Sequence, residues 1–418
     1  MNRLATYAWD AFPAIRWGGR PGGSKSEYSD RRRNAAETIA AMHGMLHEFG
    51  VTRIARVTGL DCVGIPVWTA IRPNAKTVSQ SQGKGLNDEA AQASAMMEAI
   101  EVATAERADL RSIRATRRSL ISQGIDARTF DGFLREGAKK IEDDDIVQWA
   151  QGFDLISDRS VIVPLQLVTL SDAAETPRYW QATDGLASGN DLWEAVVHGL
   201  CERVERDAIA LWRLRTDQDV EARCVAVESF CDPALDDLAL KIANAGLQLR
   251  LFDATCDSGV PVFAAFISPE ADGSEHLWEH IDLSGGYGCH PRPYRAAIRA
   301  VTEAAQSRLT TISGARDFHR PTMYKMKLDP SLLIYARAEP LLASGLLKDA
   351  EIEPEDYVRS MLGRLKGIGV RSVVVVPLEN GARGFSVAKI LVEDLESPAG
   401  PRKTRFGPRA HAFARSRQ

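Results

Sequence analysis

The feature that most constrains this chain is one spacing of polar residues that occurs in three separate segments. Each segment consists of a glycine-containing loop followed by a helical pattern, with polar residues at helix positions i, i+4 and i+7. These positions lie within about 60° of arc, so each set forms a single stripe beside apolar residues. The three sets are Ser94, Glu98 and Glu101; His198, Glu202 and Glu205; and Arg299, Glu303 and Gln306.

The shared spacing predicts an internal structural repeat arranged around one cleft. Asn87 or Asp88 can cap the first helix, and Asn190 can cap the second. Glu194 extends the second stripe by one turn. A single stripe of this kind is more often the solvated face of an amphipathic helix. Three stripes with the same offsets, each behind a glycine-rich loop, favour a binding site instead.

The acidic members of these stripes predict a metal ion. Carboxylates that share a site repel one another and are costly to bury unless a cation lies between them. Oxygen ligands without a nearby cysteine select a hard cation, and Mg2+ suits them best. Because phosphate oxygens would complete its coordination, the sequence predicts a nucleoside triphosphate in the cleft. The four carboxylates are Glu98, Glu101, Glu202 and Glu205.

A bound triphosphate also needs positive charges or hydrogen-bond donors. The Gly83-Lys84-Gly85 loop is not a Walker A motif, because Val78 occupies the position of the first glycine and Gly85 follows the lysine. A P-loop ATPase is therefore excluded. The candidate donors are Lys84, Arg203, Arg206, Arg299 and the run Arg31 to Arg33.

The rest of the chain predicts a mixed α/β (α+β) fold, because helical and strand patterns alternate. Helices near 233–245 and 355–366 are each followed by a strand, a turn and a second strand, and we expect these modules to be scaffold. Residues 1–24 are interpreted as an arm and 25–398 as one domain. Residues 399–418 are interpreted as an exposed basic tail, with docking onto a phosphate or a partner as the alternative.

Composition and charge exclude several classes of protein. A net charge of -4 gives no reason to expect nucleic acid or an acidic membrane as partner. No segment approaches the roughly 20 apolar residues that span a bilayer, and the first residues lack a signal-peptide pattern. The six cysteines are scattered without a C-x-x-C pair, which is typical of thiols in a reducing compartment. We therefore expect a cytoplasmic protein without a structural zinc site.

The three segments resemble the motifs of the YcaO family. The similarity covers an S-x-G-K-G loop with S-x-x-x-E-x-x-E, then N-x-x-x-E-A with E-x-x-E-R, then R-x-x-T-E-x-x-Q, and a GARDF element at 314–318. It extends over roughly residues 25–398. The matching positions are Ser81 to Gly85, Ser94, Glu98, Glu101, Asn190, Glu194, Ala195, Glu202, Glu205, Arg206, Arg299, Thr302, Glu303 and Gln306.

This resemblance implies an ATP-binding fold in which glutamates from two helices hold Mg2+ ions that bridge the phosphates. By the same resemblance, Ser94, Asn190 and Glu194 position the nucleotide, while Arg206 and Arg299 contact phosphates and, with Glu194, act in catalysis. Arg31 is similar to a basic residue of the family's N-terminal element. The implied metal ligands are Glu98, Glu101, Glu202 and Glu205, and Lys84, Glu303 and Gln306 belong to the implied cofactor-binding set.

The resemblance also implies a reaction. In YcaO enzymes a nucleophile adds to a backbone amide carbon, and ATP phosphorylates the resulting oxyanion so that phosphate can leave. Azoline-forming members commonly end in P-x-P-x-P, whereas this chain ends AFARSRQ. The run from Val51 to Gly85 and the GPRA-containing end resemble the TfuA-associated group, which is linked to thioamides. We therefore expect thioamidation of a peptide or protein together with a TfuA-like partner.

Three other functions remain open at this point. The chain is compatible with an azoline-forming cyclodehydratase of a ribosomally made peptide, or with an accessory factor for methylthiolation of a ribosomal protein. A plain ATP hydrolase or ligase with a small-molecule substrate is the third alternative. The sequence leaves the substrate, the sulfur donor and the oligomeric state undetermined, with a homodimer among the options. It also leaves the nucleophile open, so the product can be a thioamide, an azoline or an amidine.

Overall fold

The computed structural model describes residues 28–107, 110, 112–170, 177–314, 321–343, 352–397 and 406–416. The arm expected at 1–24 and residues 315–318 of the GARDF element lie outside the described residues. The described part has a mixed α/β architecture, as the sequence predicts. None of its helices is both long enough and apolar enough to cross a membrane.

The helices of the described part include the three that carry the polar stripes. Two of these, α4 and α7, are 21 residues long, and α2 is 20 residues long. The helices are α1 (Ala35–His43), α2 (Asp88–Arg107), α3 (Arg117–Ile121), α4 (Leu192–Trp212), α5 (Asp217–Glu221), α6 (Pro233–Asn244), α7 (Pro293–Ser313), α8 (Ile334–Arg337), α9 (Tyr357–Gly367) and α10 (Pro408–Arg415).

The strands form three antiparallel sheets. They are β1 (Arg53–Arg56), β2 (Val67–Ile71), β3 (Gln80–Lys84), β4 (Ser112–Thr116), β5 (Ile146–Asp154), β6 (Arg159–Pro164), β7 (Leu186–Gly189), β8 (Cys224–Val225), β9 (Gln248–Asp253), β10 (Val262–Ser268), β11 (Ser284–Cys289), β12 (Val374–Asn380) and β13 (Ser386–Leu391). The sheet orders are β1-β2-β3, then β11-β10-β9-β8, then β4-β5-β12-β13-β7 with β6 paired to β5.

The two expected helix–strand–turn–strand modules are present. Helix α6 is followed by the antiparallel pair β9 and β10, and helix α9 by the antiparallel pair β12 and β13. The strands β10 and β13 are buried along their whole length, which explains their apolar sequences, whereas β9 and β12 are buried over only part of theirs. They form the inner part of the second and third sheets.

Three strand–helix units form a ring. Strands β3, β7 and β11 each lie at the edge of a different sheet, and each is followed by a stripe-bearing helix packed against it. Each helix also contacts the strand of another unit: α2 packs on β7, α4 on β11, and α7 on β3. This cyclic packing supports the predicted internal repeat, because equivalent parts of the three units meet one another.

Glycines at equivalent positions allow the close contact between strand and helix. A β-carbon at Gly83 would lie 2.2 Å from the oxygen of Ala91, and one at Gly288 would lie 2.2 Å from the oxygen of Ala296. The sequence separation between Gly83 and Ala91 is the same as that between Gly288 and Ala296. A larger residue would push the helix off its strand, so Gly83 in β3 and Gly288 in β11 serve the same packing purpose.

Each stripe-bearing helix buries its apolar face in a separate hydrophobic cluster. Met96 and Ile100 of α2 lie in one cluster, Leu200 of α4 in a second, and Ala300 and Val301 of α7 in a third. With their apolar faces buried outward, the helices turn their polar stripes toward the middle of the ring. The fold therefore places the three stripes around a shared cleft.

The C-terminal segment differs from the sequence expectation. Residues 408–415 form α10, and Ala410 within it is fully buried. Arg409 pairs with the buried carboxylate of Asp207 on α4. The prediction of an exposed tail is therefore wrong for residues 406–416, because eight residues are too few for helical periodicity to stand out and the stabilising acid lies far away in sequence.

Candidate active site at the centre of the ring

The three polar stripes face one another across the cleft. Lys84 at the end of β3 donates from Nζ to Oε2 of Glu303 on α7, at 2.5 Å. Gln306, one turn further along α7, donates from Nε2 to the backbone oxygen of Gln82, at 2.8 Å. Across the cleft, the charge of Glu202 on α4 raises the pKa of Glu101 on α2. Residues from all three segments therefore share one electrostatic environment.

Three of the glutamates have raised pKa values. Burial is the main cause at Glu101, whose pKa lies well above its ordinary value, and the charges of Glu202 and Glu98 raise it further. Burial also raises the pKa of Glu202. At Glu205, burial and the charge of Glu303 raise the pKa to about 7. The folded chain leaves these carboxylates short of positive charge, which favours binding of a cation.

These carboxylates fit Mg2+ arriving with phosphates. Among the residues that the structure describes, no group of three or more His, Cys, Asp or Glu side chains is arranged to hold a metal ion by itself. Mg2+ typically uses only one or two carboxylates and takes its other ligands from water and substrate phosphates. Carboxylates that are clustered but do not by themselves complete a coordination shell are therefore compatible with Mg2+. The assignment of Glu98, Glu101, Glu202 and Glu205 as ligands stays a prediction.

Arg206 lies among the acidic side chains. Its Nη2 is 3.3 Å from Oε1 of Glu202, and its Nε is 3.6 Å from Oδ1 of Asp184. Burial opposes the charge of Arg206, but the carboxylates of Glu202, Glu205 and Asp184 outweigh burial and raise its pKa. The guanidinium thus stays charged beside the predicted metal ligands, in a position suited to contact phosphate.

The N-terminal end of α4 holds a different arrangement. The Glu194 carboxylate accepts hydrogen bonds from Arg31 Nη1 at 3.1 Å, from the backbone N–H of Arg32 at 2.5 Å, and from Asn190 N and Nδ2 at 3.0 Å each. Burial alone would raise the pKa of Glu194, but the charge of Arg31 and these hydrogen bonds lower it. Three residues predicted to bind the nucleotide, Arg31, Asn190 and Glu194, therefore lie in direct contact.

Asp191 and not Asn190 caps helix α4. The carboxylate of Asp191 accepts the backbone N–H of Glu194 at 2.9 Å. Asn190 instead uses its amide on Glu194 and accepts from the hydroxyl of Thr38 at 3.0 Å. The predicted Asn190 cap is therefore wrong. A carboxylate interacts more favourably with the helix dipole, and the buried Glu194 needs the amide N–H groups that only Asn190 can provide.

An open cavity of about 770 Å³ adjoins this end of α4. Arg32, Asn190 and Asp191 line one side, and Gly381 and Ser386 of the β12–β13 hairpin line another. Its volume lies within the range of small-ligand sites. The cavity is open to the surface beside Asn190.

The remaining predicted residues occupy equivalent places on the three helices. Arg299 on α7 donates from Nη1 to the backbone oxygen of Cys289 at 3.1 Å. Ser94 on α2 is half-buried, next to Gly83. Burial and the charge of Arg299 lower the pKa of His198 on α4 well below its ordinary value, so this imidazole is neutral. The first position of the stripe is thus a hydroxyl on α2, an imidazole on α4 and a guanidinium on α7.

Arg203 is not part of the cleft. Its side chain is 1% exposed and donates from Nη2 to the backbone oxygens of residues 392, 395 and 396 at 3.4, 3.4 and 3.2 Å. It lies about 200° around α4 from Glu205, on the opposite face. The prediction of Arg203 as a triphosphate donor is therefore wrong, because residues adjacent in a helical sequence point in different directions.

Sequence reasoning missed Lys389 and Asp184. Lys389 on β13 is 5% exposed and donates from Nζ to the backbone oxygen of Ala182 at 2.5 Å. Burial lowers its pKa to about 8, against the opposing effect of the Asp184 and Glu202 charges. A module expected to be scaffold therefore contributes a cation to the site. The available signal was a single lysine in the otherwise apolar strand SVAKIL.

A family model for YcaO cyclodehydratases, described as ATP- and Mg2+-binding, matches residues 82–396. The matched stretch includes α2, α4 and α7 with all nine residues of the three stripes. The chain therefore belongs to the YcaO family, a family of ATP-dependent peptide-modifying proteins. ATP and Mg2+, which the sequence predicts, are the ligands of this family.

Two relatives match along most of the chain. A protein of Rhizobium leguminosarum bv. trifolii, encoded in the 3′ region of tfuA, is 39% identical over 92% of this chain and 93% of its own length. A protein of Methanothermobacter thermautotrophicus is 32% identical over 86% of this chain and 94% of its own length. The chain is thus similar to a protein from a tfuA gene neighbourhood over nearly its whole length.

Solved structures share the fold. YcaO from Methanopyrus kandleri, bound with AMPPCP and Mg2+, superposes with a TM-score of 0.70 at 23% identity, over 89% of this chain and 94% of that chain. A heterocyclase in complex with substrate and cofactor gives a TM-score of 0.71 at 21% identity, over 92% of this chain but only 56% of that chain. This chain therefore spans about half the length of that heterocyclase.

Proposed function

We propose that this chain replaces a backbone amide oxygen of a peptide or protein by sulfur, using ATP and Mg2+ and a TfuA-like partner. The observation that carries the proposal is the cluster of glutamates from α2 and α4 whose pKa values are raised, in one cleft with Lys84 of β3 and Arg206 of α4. Such a cluster favours cations and phosphates. The relative encoded in the tfuA region supports the partner.

Each predicted residue has a role in this proposal. Mg2+, when bound, would neutralise charge on the triphosphate. Ser94, Asn190 and Glu194 position the nucleotide, and Arg206 and Arg299 contact its phosphates. Glu98, Glu101, Glu202 and Glu205 hold the metal, while Arg31, Lys84, Glu303 and Gln306 complete the binding surface.

The proposed reaction balances with hydrosulfide as nucleophile. Hydrosulfide adds to the amide carbon, and the oxyanion takes the terminal phosphoryl group of ATP and releases ADP. Phosphate then leaves while the carbon–sulfur double bond forms and the sulfur loses its proton. Amide oxygen is a poor leaving group, and phosphorylation makes it a good one. Arg206 and Arg299 stabilise the charge on the transferred phosphoryl group.

The test uses two sets of synthetic unstructured peptides, one containing and one lacking Cys, Ser and Thr. The protein is incubated with ATP, Mg2+, sodium sulfide and each set, with and without a TfuA-like protein, and products are examined by mass spectrometry. Thioamidation adds about 16 mass units, because sulfur replaces oxygen, and proceeds in both peptide sets. The proposal fails if no peptide gains this mass while ATP is consumed.

The same experiment separates the alternatives. An azoline-forming cyclodehydratase removes water, and only from peptides that contain Cys, Ser or Thr. A hydrolase or small-molecule ligase consumes ATP without any change in peptide mass. An accessory factor for ribosomal protein methylthiolation modifies neither set. We also propose a cytoplasmic location, which the six free cysteines support.

A further inference from the structure

The face of α4 that points away from the cleft is tied to the C-terminal helix. Asp207 is 1% exposed, and both of its carboxylate oxygens accept from Nε of Arg409, at 2.8 and 2.9 Å. Arg409 also donates from Nη1 to Asp257 at 3.1 Å. Asp207 follows Glu205 by two positions and lies on the opposite face of the helix. The pair therefore holds the back of the helix whose front carries Glu202 and Glu205.

Glu396 fastens α10 to the same point. Its carboxylate accepts the backbone N–H groups of Gly407 at 2.8 Å and Ala410 at 2.9 Å, at the start of α10. Its own backbone N–H donates to Oδ1 of Asp207 at 3.0 Å. A β-carbon at position 407 would lie 2.7 Å from the Glu396 carboxylate, so a larger residue there would displace this carboxylate from its present position. We call Glu396, Gly407, Arg409 and Ala410 the C-terminal clamp.

A chain of polar contacts leads from the C-terminal clamp to the cleft. Arg203 donates to the backbone oxygen of Glu396 at 3.2 Å and lies 3.8 Å from Asp184. Asp184 lies 3.6 Å from Nε of Arg206, and Arg206 lies 3.3 Å from Glu202. Each step joins buried or half-buried groups, where weak solvent screening keeps interactions strong. These contacts connect the back of α4 with Glu202 at its front.

We propose that the C-terminal clamp positions helix α4 so that Glu202 and Glu205 meet Mg2+ in the required geometry, with Arg409 as a positioning residue. The inference rests on the proposed function of these two glutamates as metal ligands. Mg2+ demands near-octahedral coordination, so a small shift of a ligand helix is costly. Arg409 lies behind α4, where it contacts Asp207 and Asp257, and we expect it to affect the metal ligands through Asp207.

Three variants of the full-length chain test the inference. Arg409→Ala removes the ion pair, Arg409→Lys keeps the charge without the two-pronged geometry, and Gly407→Val displaces Glu396 without changing charge. Arg371→Ala is the matched control, because Arg371 is 81% exposed and pairs with Asp394 at the surface. The readouts are the Mg2+ concentration that gives half-maximal ATP turnover, the turnover rate at saturating Mg2+, and amide exchange within residues 203–212.

We expect Arg409→Ala to raise the half-maximal Mg2+ concentration about tenfold, as removal of a group that orients a metal ligand does. Turnover at saturating Mg2+ should fall by a smaller factor than this tenfold change. Amide exchange in α4 should become faster. Gly407→Val should also raise the half-maximal Mg2+ concentration. Arg409→Lys should raise it less than Arg409→Ala does, and Arg371→Ala should have the same value as the unmodified protein.

Two outcomes overturn the inference in distinguishable ways. If the unmodified protein neither binds nor turns over ATP with Mg2+, the proposed function fails and the positioning role fails with it. If the unmodified protein is active and both Arg409→Ala and Gly407→Val show an unchanged Mg2+ requirement, only the positioning role fails. Faster amide exchange with an unchanged Mg2+ requirement would mean that the C-terminal clamp is merely structural. Should Arg409→Ala not fold, Arg409→Lys and Gly407→Val decide between these outcomes.

Discussion

Helix α4 places its glutamates in two contrasting environments. Glu194 in its first turn accepts four hydrogen bonds, and Arg31 together with these bonds lowers its pKa despite burial. Three turns later, burial and the charge of Glu303 raise the pKa of Glu205 to about 7. At one end of the cleft the chain thus supplies enough donors to favour the charged carboxylate, whereas at the other Arg206 and Lys84 do not outweigh burial and the repulsion between carboxylates. We call the first end compensated and the second uncompensated, and we propose that an external cation binds at the second.

Removing a carboxylate from the uncompensated end should give the largest effect. We expect Glu101→Ala, and likewise Glu202→Ala, to reduce ATP turnover at least about a hundredfold, because a metal ligand is lost. The fold should survive, since removing one member of a repelling cluster relieves repulsion. Steady-state ATP hydrolysis at saturating Mg2+, together with circular dichroism, checks both parts.

The matched control for these variants is Glu89→Ala. Glu89 lies in the first turn of the same helix as Glu101 but is exposed to solvent. Its removal should leave turnover unchanged. Unaltered turnover in Glu101→Ala and Glu202→Ala would remove both residues from the metal site, whatever happens in the control.

A smaller effect should appear in the stability of the metal-free protein. Glu205 has a pKa of about 7 in the folded chain, against an ordinary value of 4.5. The folded state therefore binds this proton more tightly, and the penalty for ionising Glu205 is absent below pH 4.5 and complete above about pH 7. We expect Glu205→Gln to stabilise the metal-free protein by about 2 kcal/mol near pH 8, with no gain below the ordinary pKa.

Urea denaturation in the presence of a chelator measures this difference in the free energy of unfolding. Adding Mg2+ with the ATP analogue AMPPCP should then stabilise the unmodified protein more than Glu205→Gln, which reverses the order of the two. A variant that is less stable than the unmodified protein at both pH values would mean that Glu205 is already compensated by its neighbours.

The two ends of α4 also differ in how far the sequence predicts them. The i, i+4, i+7 spacing identifies Glu101, Glu202 and Glu205 because all three stripes follow helical geometry, which is local. The contact of Arg31 with Glu194 joins distant parts of the chain. The charged run at 31–33 and the family resemblance both pointed to Arg31 as a ligand-binding residue, but neither predicted that its partner is Glu194. Lys389 lies on β13, which pairs with β7 but is far from α4 in the sequence, and no local period marks it. Spacing predicts which residues share a helix face, whereas tertiary packing decides what lies opposite.

The same distinction explains the errors. Asn190 and Asp191 are both good capping residues, and only the neighbouring Glu194 carboxylate decides which of them caps α4. Arg203 belongs to a helix rich in predicted site residues, yet its direction follows from backbone oxygens supplied by residues 392–396. Helix α10 likewise depends on Asp207 and Glu396 of the core. In each case the deciding partner is remote in sequence.

The smallest effect should come from the compensated end. Arg31 is 40% exposed, so solvent screens its pairing with Glu194, and we expect Arg31→Ala to cost less than about 1 kcal/mol of stability. Because the pKa of Glu194 is lowered in the folded chain, this contribution is present above the ordinary value of 4.5 and is lost as pH falls through the folded value. Urea denaturation at neutral and acidic pH measures it.

Arg32→Ala is the matched control for this last change, because Arg32 reaches Glu194 through its backbone N–H and keeps that bond in the variant. Its side chain lies only within 4.0 Å of Asp191. A pH-dependent loss of stability in Arg31→Ala that is absent from Arg32→Ala would show that the Arg31 side chain compensates Glu194. Equal losses in the two variants would instead assign the lowered pKa of Glu194 to the Asn190 amide and the backbone N–H groups. Arg31 would then not be a cause of the difference between the two ends of α4.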